Sequence, residues 1–337
     1  MNLPLVTVII PFYNEELRLM NAVKSVLNQN YSNIEIILIN DGSTDTSQKI
    51  AGTICKENKF CTLVSIANKG PGNARNIGLE KANGKYVAFL DADDELETWA
   101  IDILVKNIIT EKTDLSIAMY TMIDAKNQFV KSSSWNNENV IDANKAILYV
   151  ITNKLIPTVW GKLFKTKFAK QCKFPVKSWK EDDVFILQYL KLTLKISVIN
   201  NSILKINCRN NSLTRQVVSL KMIDDCSYSY KEQLKLIAPN VILEKELVIS
   251  YLHTLLNLFL SLKIDWNRVE HKIEVLRKFE NEVDALKSRS KKYTISFKQK
   301  VLFVLLKLNK LIGWKIPFLI ISVLKKEQLK SLKKIKS

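Results

Sequence analysis

A group of closely spaced carboxylates is the first feature of the sequence that could bind a metal ion. Asp91-Ala92-Asp93-Asp94 directly follows the apolar run Tyr86–Leu90. Carboxylates two residues apart at the end of a strand can converge on one Mg²⁺ or Mn²⁺ ion, a hard cation that proteins often share with substrate phosphates. The alternative is that Asp93 or Asp94 only caps a helix that begins near Glu97. A motif this short does not decide between the two.

Two further polar clusters have the composition of ligand-binding loops. Asp41 opens the run Asp41–Asp45, and its carboxylate can accept an N–H from a nucleotide base; the alternative is a turn with a helix cap. Lys69–Asn76 is a glycine-rich loop that leads into a helix. Arg75 stands at the third glycine position of G-x-G-x-x-G, which disfavours a dinucleotide site and hydride chemistry. The chain also lacks a Walker A motif, which disfavours NTP hydrolysis.

Apolar runs of strand length alternate with helical segments in the first third of the chain. The predicted helices lie within Glu15–Gln29 and Ala74–Ala82, and the predicted strands are Val6–Ile10, Ile34–Ile39, Phe60–Ile66 and Tyr86–Leu90. This alternation favours an α/β fold with a mostly parallel sheet covered on both faces. Ligands bind such sheets beyond the carboxyl ends of the strands. The densest polar clusters fall at those ends, at Pro11–Glu15, Asp41–Asp45 and Asp91–Asp94.

The pattern is irregular from about Leu115 and almost wholly helical beyond Leu220. Between them the sequence predicts a hairpin around Lys126-Asn127, a helix from Asp142, a loop with Pro157 and Trp160, a helix from about Glu181, and strands at Lys195–Ile199 and Ile203–Cys208. The later helical stretches are Met222–Ile237, Val241–Leu262 and Val269–Leu286. We therefore expect two domains, residues 1–220 and residues 221–337.

The net charge of +18 is spread unevenly along the chain. Residues 1–100 carry 9 basic and 12 acidic side chains, whereas residues 201–337 carry 27 basic and 12 acidic. A basic excess attracts polyanions, either nucleic acid or an anionic membrane. The acidic front third and the lack of a recognisable binding module disfavour nucleic acid.

Cysteine usage and the first residues indicate the compartment. Five cysteines without CxxC or Cys/His pairing predict neither a disulfide framework nor a zinc site, and they fit a reducing cytosol. Residues 1–6 lack the basic region and apolar run of a signal peptide. We therefore expect no export.

The polar clusters, in this order and spacing, resemble the motifs of the family 2 glycosyltransferases, which have the GT-A fold. The resemblance is carried by VTVIIPFYNE (6–15), SVLNQ (25–29), INDGSTD (39–45), ARNIG (74–78) and AFLDADD (88–94). Weaker landmarks of capsule and O-antigen enzymes follow as WGKLF (160–164), KEDD (180–183) and RNNSLT (209–214). The resemblance implies a Rossmann-like, mostly parallel GT-A sheet with an α-helical, basic C-terminal region. It also implies sugar transfer from a nucleotide-sugar donor, commonly a UDP-sugar.

The resemblance implies a role for each matching residue in the donor site. The nucleoside pocket is expected to be lined by Pro11, Tyr13 and Glu15, and the base is expected to contact Asp41. Arg75 is expected to contact the nucleotide. Asp91 is expected to face the ribose or the metal shell, and Asp93 to ligate the metal. The expected cofactor is Mn²⁺ or Mg²⁺, which neutralises the charge that grows on the leaving diphosphate.

Glu181-Asp182 matches the pair in which the family places its catalytic base, and Asp182 holds the second position. A lone carboxylate is the base expected for an inverting transfer, in which the acceptor oxygen attacks opposite the departing diphosphate. Retaining hydrolases would instead need two closely spaced carboxylates. Without the resemblance, Glu181–Asp183 is typical of an acidic first turn favoured by the helix dipole.

The basic C-terminal end suggests where the enzyme works. Val301–Leu324 is apolar but contains three lysines, and six more lysines follow. This composition favours helices that lie in the plane of an anionic membrane; the alternative is a helical subdomain with a solvated lysine face. We expect a cytoplasmic enzyme, peripheral on the inner face of the inner membrane.

The sequence thus predicts an inverting, metal-dependent glycosyltransferase. Its expected acceptor is a hydroxyl of a glycan or lipid-linked glycan in bacterial surface polysaccharide synthesis, such as lipopolysaccharide or capsule. A non-catalytic GT-A-like scaffold of a membrane assembly is the alternative. A nucleotidyltransferase would need a glycine-rich donor loop with Arg and Lys, which Pro11–Glu15 does not supply.

Overall fold

Four parallel strands form the first half of a central sheet. The structure, a computed structural model, describes residues 3–124, 128–176, 178–207, 217–264 and 268–295. The strands are β1 (Val6–Phe12), β2 (Ile34–Asn40), β3 (Cys61–Ser65) and β4 (Tyr86–Phe89). They lie in the order β3-β2-β1-β4, and each neighbouring pair is parallel, as the alternation predicts. Their carboxyl ends therefore share one edge of the sheet.

The second half of the sheet is mixed. β9 (Lys162–Lys165) lies antiparallel between β4 and β6 (Leu115–Ile123), and β10 (Lys195–Asn207) lies parallel to β6. Shorter antiparallel strands complete it, namely β5 (Glu95–Leu96), β7 (Phe129–Ser132) and β8 (Val140–Asp142). The parallel arrangement predicted from the alternation in the first third of the chain thus holds for β1–β4, and beyond β4 the sheet is mixed. Apolar runs identify strands but do not reveal the direction of their neighbours.

Two predicted strands form the single strand β10. The predicted runs Lys195–Ile199 and Ile203–Cys208 are continuous in the structure up to Asn207, with irregular pairing to β6 between Val198 and Leu204. The polar residues between the runs suggested a break, but Asn200 donates to the carbonyl of Trp135 and so stays within the folded chain. Cys208 and the hairpin turn at Lys126-Asn127 lie outside the described residues, although the flanking strands β6 and β7 do pair antiparallel.

Helices cover both faces of the sheet. They are α1 (Leu19–Leu27), α2 (Ser47–Glu57), α3 (Pro71–Lys81), α4 (Ala100–Thr110), α5 (Ala143–Ile151), α6 (Thr166–Ala169) and α7 (Glu181–Lys191). Successive side chains of a strand point to opposite faces. Val8 and Ile10 of β1 accordingly join one core with α1, α2 and α4, whereas Ile9 packs against Gly78 of α3.

An aromatic cluster holds α7 on the same face as α3. The ring of Phe185 on α7 lies edge-on to Phe89 of β4 and Phe164 of β9, at 5.9 Å in both cases. Phe174, which precedes α7, stacks on Phe185 at 3.9 Å. Buried aromatic contacts of this kind add to the stabilisation from apolar burial. They place the start of α7 beside α3.

The later helices confirm the helical pattern predicted beyond Leu220. They are α8 (Leu220–Ile237), α9 (Val241–Ile264) and α10 (Lys272–Ser290). The chain divides into two compact units, Met1–Gln216 with Asp224–Leu247, and Val217–Ile223 with Val248–Ser337. Within the second unit, Tyr251 donates to Glu282 at 3.0 Å, and Phe259 stacks on Phe279 at 5.6 Å. The division into domains at residue 220 stays a prediction.

The described helices do not include one that is both long and apolar enough to cross a bilayer. Two further predicted features lie outside the described residues, the lysine-rich segment from Val301 onwards and the landmark Arg209–Thr214.

Candidate active site

Arg75 on α3 is the centre of the candidate site. Its side chain is only 6% exposed. Nη2 donates to Asp91 Oδ1 at 2.9 Å, and Nη1 donates to Glu181 Oε1 at 2.7 Å and to Asp182 Oδ1 at 3.2 Å. Asp91 follows β4, and the other two carboxylates open α7. The structure therefore brings together three residues that the sequence assigned to the site, Arg75, Asp91 and Asp182.

Three carboxylates share one buried guanidinium. Burial alone would lower the pKa of Arg75, but Asp182, Asp91 and Glu181 raise it well above its usual range, so the group stays charged. The planar fork of arginine has five N–H donors, which suits it to bridging several carboxylates. Its Nε is buried and has no hydrogen-bond partner within the described part of the chain. A buried donor in that state is uncommon and costly.

Asp182 is held by two contacts beside this guanidinium. Its second oxygen, Oδ2, accepts the backbone N–H of Val159 at 3.1 Å, and its side chain remains 19% exposed. Burial raises the pKa of Asp182 to about 7, with further upward contributions from Glu181 and Asp91 and an opposing one from Arg75. A carboxyl group with a pKa close to neutral is well matched to accepting a proton from a hydroxyl.

The first turn of α7 is acidic, as the helix-start interpretation of the sequence predicts. Glu181, Asp182 and Asp183 all lie in it, where the helix dipole favours negative charge. Two hydrogen bonds to residues of α8 fix the start of this turn. The N–H of Trp179 donates to Asp225 at 3.0 Å, and Ser229 donates to the carbonyl of Lys180 at 3.3 Å. An acidic helix start and a catalytic carboxylate are therefore compatible at one position.

Close packing sets the distance between α3 and α7. Gly72 of α3 lies so near the segment before α7 that an added Cβ would sit 2.4 Å from the carbonyl oxygen of Pro175. One turn later, Asn76 donates to the carbonyl of Phe174 and accepts the N–H of the same residue, both at 2.9 Å. The guanidinium of Arg75 lies over the Phe174 ring at 5.6 Å from its centre. These contacts bring Arg75 within reach of the carboxylates of α7.

The carboxylates of Asp91, Asp93 and Asp94 converge at the end of β4. Each offers an oxygen within 4.8 Å of the other two. Asn207, the last residue of β10, fixes the turn: its N–H donates to Asp94 at 3.0 Å and its side chain donates to the carbonyl of Asp93 at 2.6 Å. The alternative that Asp93 or Asp94 caps the next helix is wrong, because α4 begins at Ala100. Three carboxylate oxygens this close fit a hard divalent cation.

The loops that follow β1 and β2 are bound to each other. Asn14 accepts the N–H of Thr44 at 2.8 Å, and the N–H of Glu15 donates to Ser47 at 2.8 Å. Pro11 is buried inside β1, whereas Tyr13 is 46% exposed. These predicted nucleoside-pocket residues thus lie at the same edge of the sheet as the carboxylates, and their contact with a nucleoside stays a prediction.

Asp41 holds the loop that leads into α3. Its two carboxylate oxygens accept the N–H groups of Lys69 at 2.9 Å and Gly70 at 2.8 Å, and the residue is 4% exposed. Within the same cluster, Asp45 accepts the N–H of Ser47, the first residue of α2, at 2.9 Å. Asp41 therefore links β2 to the helix that carries Arg75, and its expected contact with a base stays a prediction.

Sequence reasoning assigned no role to three residues that shape the site. Gly72 admits the close approach of α3, Asn207 fixes the aspartate turn, and Lys162 lies buried near Asp182. Lys162 belongs to the landmark WGKLF, so the sequence did contain a motif that could have identified it. Nothing in the local sequence distinguishes Asn207 from other polar residues at a strand end, because its partners lie more than 100 residues away.

Comparison with known proteins identifies relatives of the chain. The family described as Glycosyl transferase family 2 matches residues 7–169. The glycosyltransferase GlyA of Streptococcus pneumoniae is 30% identical over 223 residues, which cover 62% of this chain and 31% of GlyA. An uncharacterized glycosyltransferase of Haemophilus influenzae is 40% identical over 132 residues, covering 39% of this chain and 53% of that protein. The chain thus spans about a third to a half of the length of these relatives.

Solved structures share the fold. Residues 1–349 of TarS from S. aureus, in complex with UDP-GlcNAc, align with a TM-score of 0.66 and 20% identity over 84% of this chain and 80% of that chain. The mannosyltransferase PcManGT from Pyrobaculum calidifontis, in complex with GDP-Man and Mn²⁺, aligns with a TM-score of 0.53 and 14% identity over 92% and 87%. The mixed α/β sheet flanked by helices is that of the GT-A glycosyltransferases, as predicted.

Replacing Gly72 by Ala should disturb the site by separating α3 from the segment before α7. We expect Gly72→Ala to lower the free energy of unfolding by about 1–3 kcal/mol, since the added methyl group meets backbone. Gly52→Ala on α2 is the matched control: nothing lies within 4 Å of the added Cβ, so it should stabilise by about 0.4–1 kcal/mol. Urea unfolding measures both. Equal effects in the two variants would contradict the close packing of α3.

Proposed function

Because residues 7–169 belong to glycosyl transferase family 2, we propose that the chain transfers a sugar from a nucleotide-sugar donor to a hydroxyl acceptor with inversion. The observation that carries the proposal is the bridge through Arg75. Arg75 pairs with Asp91, which lies at the turn suited to a metal that would bind the donor diphosphate. It also pairs with Asp182, which is suited to activating the acceptor. One side chain, Arg75, thus contacts both the residue proposed for the donor side and the residue proposed for the acceptor side.

A divalent metal fits the aspartate turn. Asp93, with Asp91 and Asp94 beside it, would hold Mn²⁺ or Mg²⁺, because three carboxylate oxygens lie within 4.8 Å of one another. When bound, the metal supplies positive charge that offsets the charge developing on the leaving diphosphate. Arg75 is the second source of positive charge, and its buried Nε is a donor that a phosphate oxygen of the nucleotide would satisfy.

Asp182 would act as the base. It is ionised above its pKa of about 7, and the 19% of its side chain that remains exposed can meet an acceptor hydroxyl. Val159 and Arg75 fix its two oxygens, so the carboxylate is oriented before the acceptor arrives. The proton of the acceptor hydroxyl passes to Asp182 while the oxygen attacks the anomeric carbon.

A uridine diphosphate sugar is the donor that we propose. TarS, the structural neighbour with the higher TM-score of the two, was solved with UDP-GlcNAc, and PcManGT with GDP-Man and Mn²⁺. The exposed ring of Tyr13 and the loops joined by Asn14 and Thr44 lie where a nucleoside would reach the sheet edge. The acceptor that we propose is a glycan or lipid-linked glycan of the bacterial surface.

A thermal-shift experiment tests the donor and the metal together. We expect UDP-GlcNAc with Mn²⁺ to raise the melting temperature of the full chain by about 5 °C, and Asp93→Ala to abolish the rise. GDP-mannose with Mn²⁺ should give a smaller rise. The control is Asp102→Ala, which removes another aspartate, one paired with Lys106 on α4. A rise that survives Asp93→Ala, or one that needs no metal, would rule out the proposed metal site.

The pH dependence of UDP release tests the base. Asp182 must be ionised to accept a proton, so the rate should fall as the pH drops below about 7 and level off above it. Asp182→Asn should slow release by about 10²–10⁴-fold while the donor still binds. A variant that turns over at the wild-type rate would remove Asp182 from the mechanism. Donor binding without turnover by the wild-type chain would favour the non-catalytic scaffold.

The C-terminal region would bring the enzyme to its acceptor. Residues 201–337 carry 27 basic and 12 acidic side chains, an excess that anionic lipid attracts. We therefore extend the proposal to a peripheral location on the cytoplasmic face of the inner membrane, with residues 1–220 as the catalytic domain and residues 221–337 facing the membrane.

Sedimentation with lipid vesicles tests this location. The full chain should pellet with phosphatidylglycerol vesicles and be released at about 0.5 M salt, because salt screens the attraction between exposed charges. Vesicles of phosphatidylcholine alone are the control and should bind little protein. Equal binding to both vesicle types would contradict the electrostatic part of the proposal.

A further inference from the structure

Lys162 is a buried lysine that the proposed reaction does not use. It is the first residue of β9 and is 5% exposed. A lysine is almost never buried to this degree unless its ammonium group has partners. Another lysine of β9, Lys165, differs in its partner, because its ammonium group forms an ion pair with Asp114 at 2.8 Å. Lys162 instead turns to the loop that precedes its own strand.

The partners of Lys162 all belong to that loop. Its Nζ donates to the carbonyl of Ile156 at 3.2 Å and to the hydroxyl of Thr158 at 3.3 Å. Gly161, at φ +68°, turns the chain between the loop and β9. A left-handed backbone at this point lets the side chain of Lys162 reach back over the loop from which it emerges.

The same loop supplies the backbone contact to the proposed base. The N–H of Val159, one residue beyond Thr158, donates to Asp182 Oδ2 at 3.1 Å. Val159 itself is fully buried. The path from Lys162 to the carboxylate thus contains one loop, which accepts two hydrogen bonds from Lys162 and donates one to Asp182.

We propose that Lys162 is a positioning residue for Asp182, holding the Ile156–Val159 loop so that the Val159 N–H fixes the carboxylate of the base. The inference rests on the proposed function in naming Asp182 the base. The positioning itself depends only on contacts within the chain. Lys162 donates to the loop, and the loop donates to Asp182, so neither step requires a bound ligand.

The charges around Asp182 make a second cation useful. Arg75 of α3, Glu181 of α7 and Asp91 after β4 face Asp182, so three carboxylates share one guanidinium. Burial lowers the pKa of Lys162 to about 7, and Asp182 opposes that decrease. When protonated, Lys162 therefore favours the ionised form of Asp182. Its loss should raise the pKa of the base as well as loosen the loop.

Hydrogen exchange of the full chain tests the positioning without any substrate. We expect Lys162→Met to speed exchange in the segment containing Val159 by about 10-fold or more, and Asp182→Ala to do the same from the other end. Lys165→Met is the matched control, with the same substitution three residues along the strand, and should leave this segment at the wild-type rate. Thr158→Val removes one acceptor of Lys162 without removing a charge. It should give a smaller acceleration even if Lys162→Met folds poorly.

Wild-type exchange in both Lys162→Met and Thr158→Val would overturn the inference. Equal acceleration in Lys165→Met would also overturn it, because the effect would then be a general loosening of β9.

A kinetic measurement separates positioning of the base from a purely structural role. In Lys162→Met, UDP release from UDP-GlcNAc with Mn²⁺ should be slower at neutral pH, with little change in KM. The fall in rate on acidification should begin about one pH unit higher, so activity recovers at raised pH. Faster exchange with an unmoved pH profile would overturn the claim that Lys162 acts on Asp182. If the wild-type chain binds no nucleotide sugar, the proposed function fails, and the exchange experiment still decides the positioning.

Discussion

The candidate site depends on one buried guanidinium that three carboxylates share. If Arg75 were absent, three like charges, those of Asp91, Glu181 and Asp182, would lie close together with no cation between them. With it, the carboxylate that follows β4 and the two that open α7 are held at defined distances from one cation on α3. Burial raises the pKa of Asp182 to about 7, because the charge of Arg75 opposes this increase only in part and Glu181 and Asp91 add to it. Packing and charge therefore both contribute to this site.

The fold places these groups by close backbone contact. Gly72 and Asn76 dock α3 against Phe174 and Pro175, and Phe174 stacks on Phe185 of α7. Asp41 ties the end of β2 to the loop ahead of α3, in the same way that Asn207 ties the end of β10 to the aspartate turn. Asp41 and Asp94, which both follow strands, are therefore fixed by backbone N–H groups that are remote in the sequence.

Much of this arrangement could be predicted from the sequence. The alternating pattern predicts β1 to β4 and the sheet edge, and the family resemblance assigns Arg75, Asp91 and Asp182 to the site. Local patterns could not show that these residues pair with one another, because Arg75 and Asp182 are 107 positions apart. The antiparallel insertion of β9 and the burial of Lys162 were missed for the same reason, since both depend on neighbours that are remote in the sequence.

The most direct test is a comparison of Arg75→Met in two backgrounds by urea unfolding at pH 8. In the wild-type background, Arg75→Met should lower the free energy of unfolding by about 3–5 kcal/mol, because it removes the cation that three partly buried carboxylates share. In a background where Asp91→Asn, Glu181→Gln and Asp182→Asn remove the three charges, the same substitution should cost much less. An equal cost in both backgrounds would show that Arg75 stabilises the fold through packing alone and would contradict the charge-sharing account.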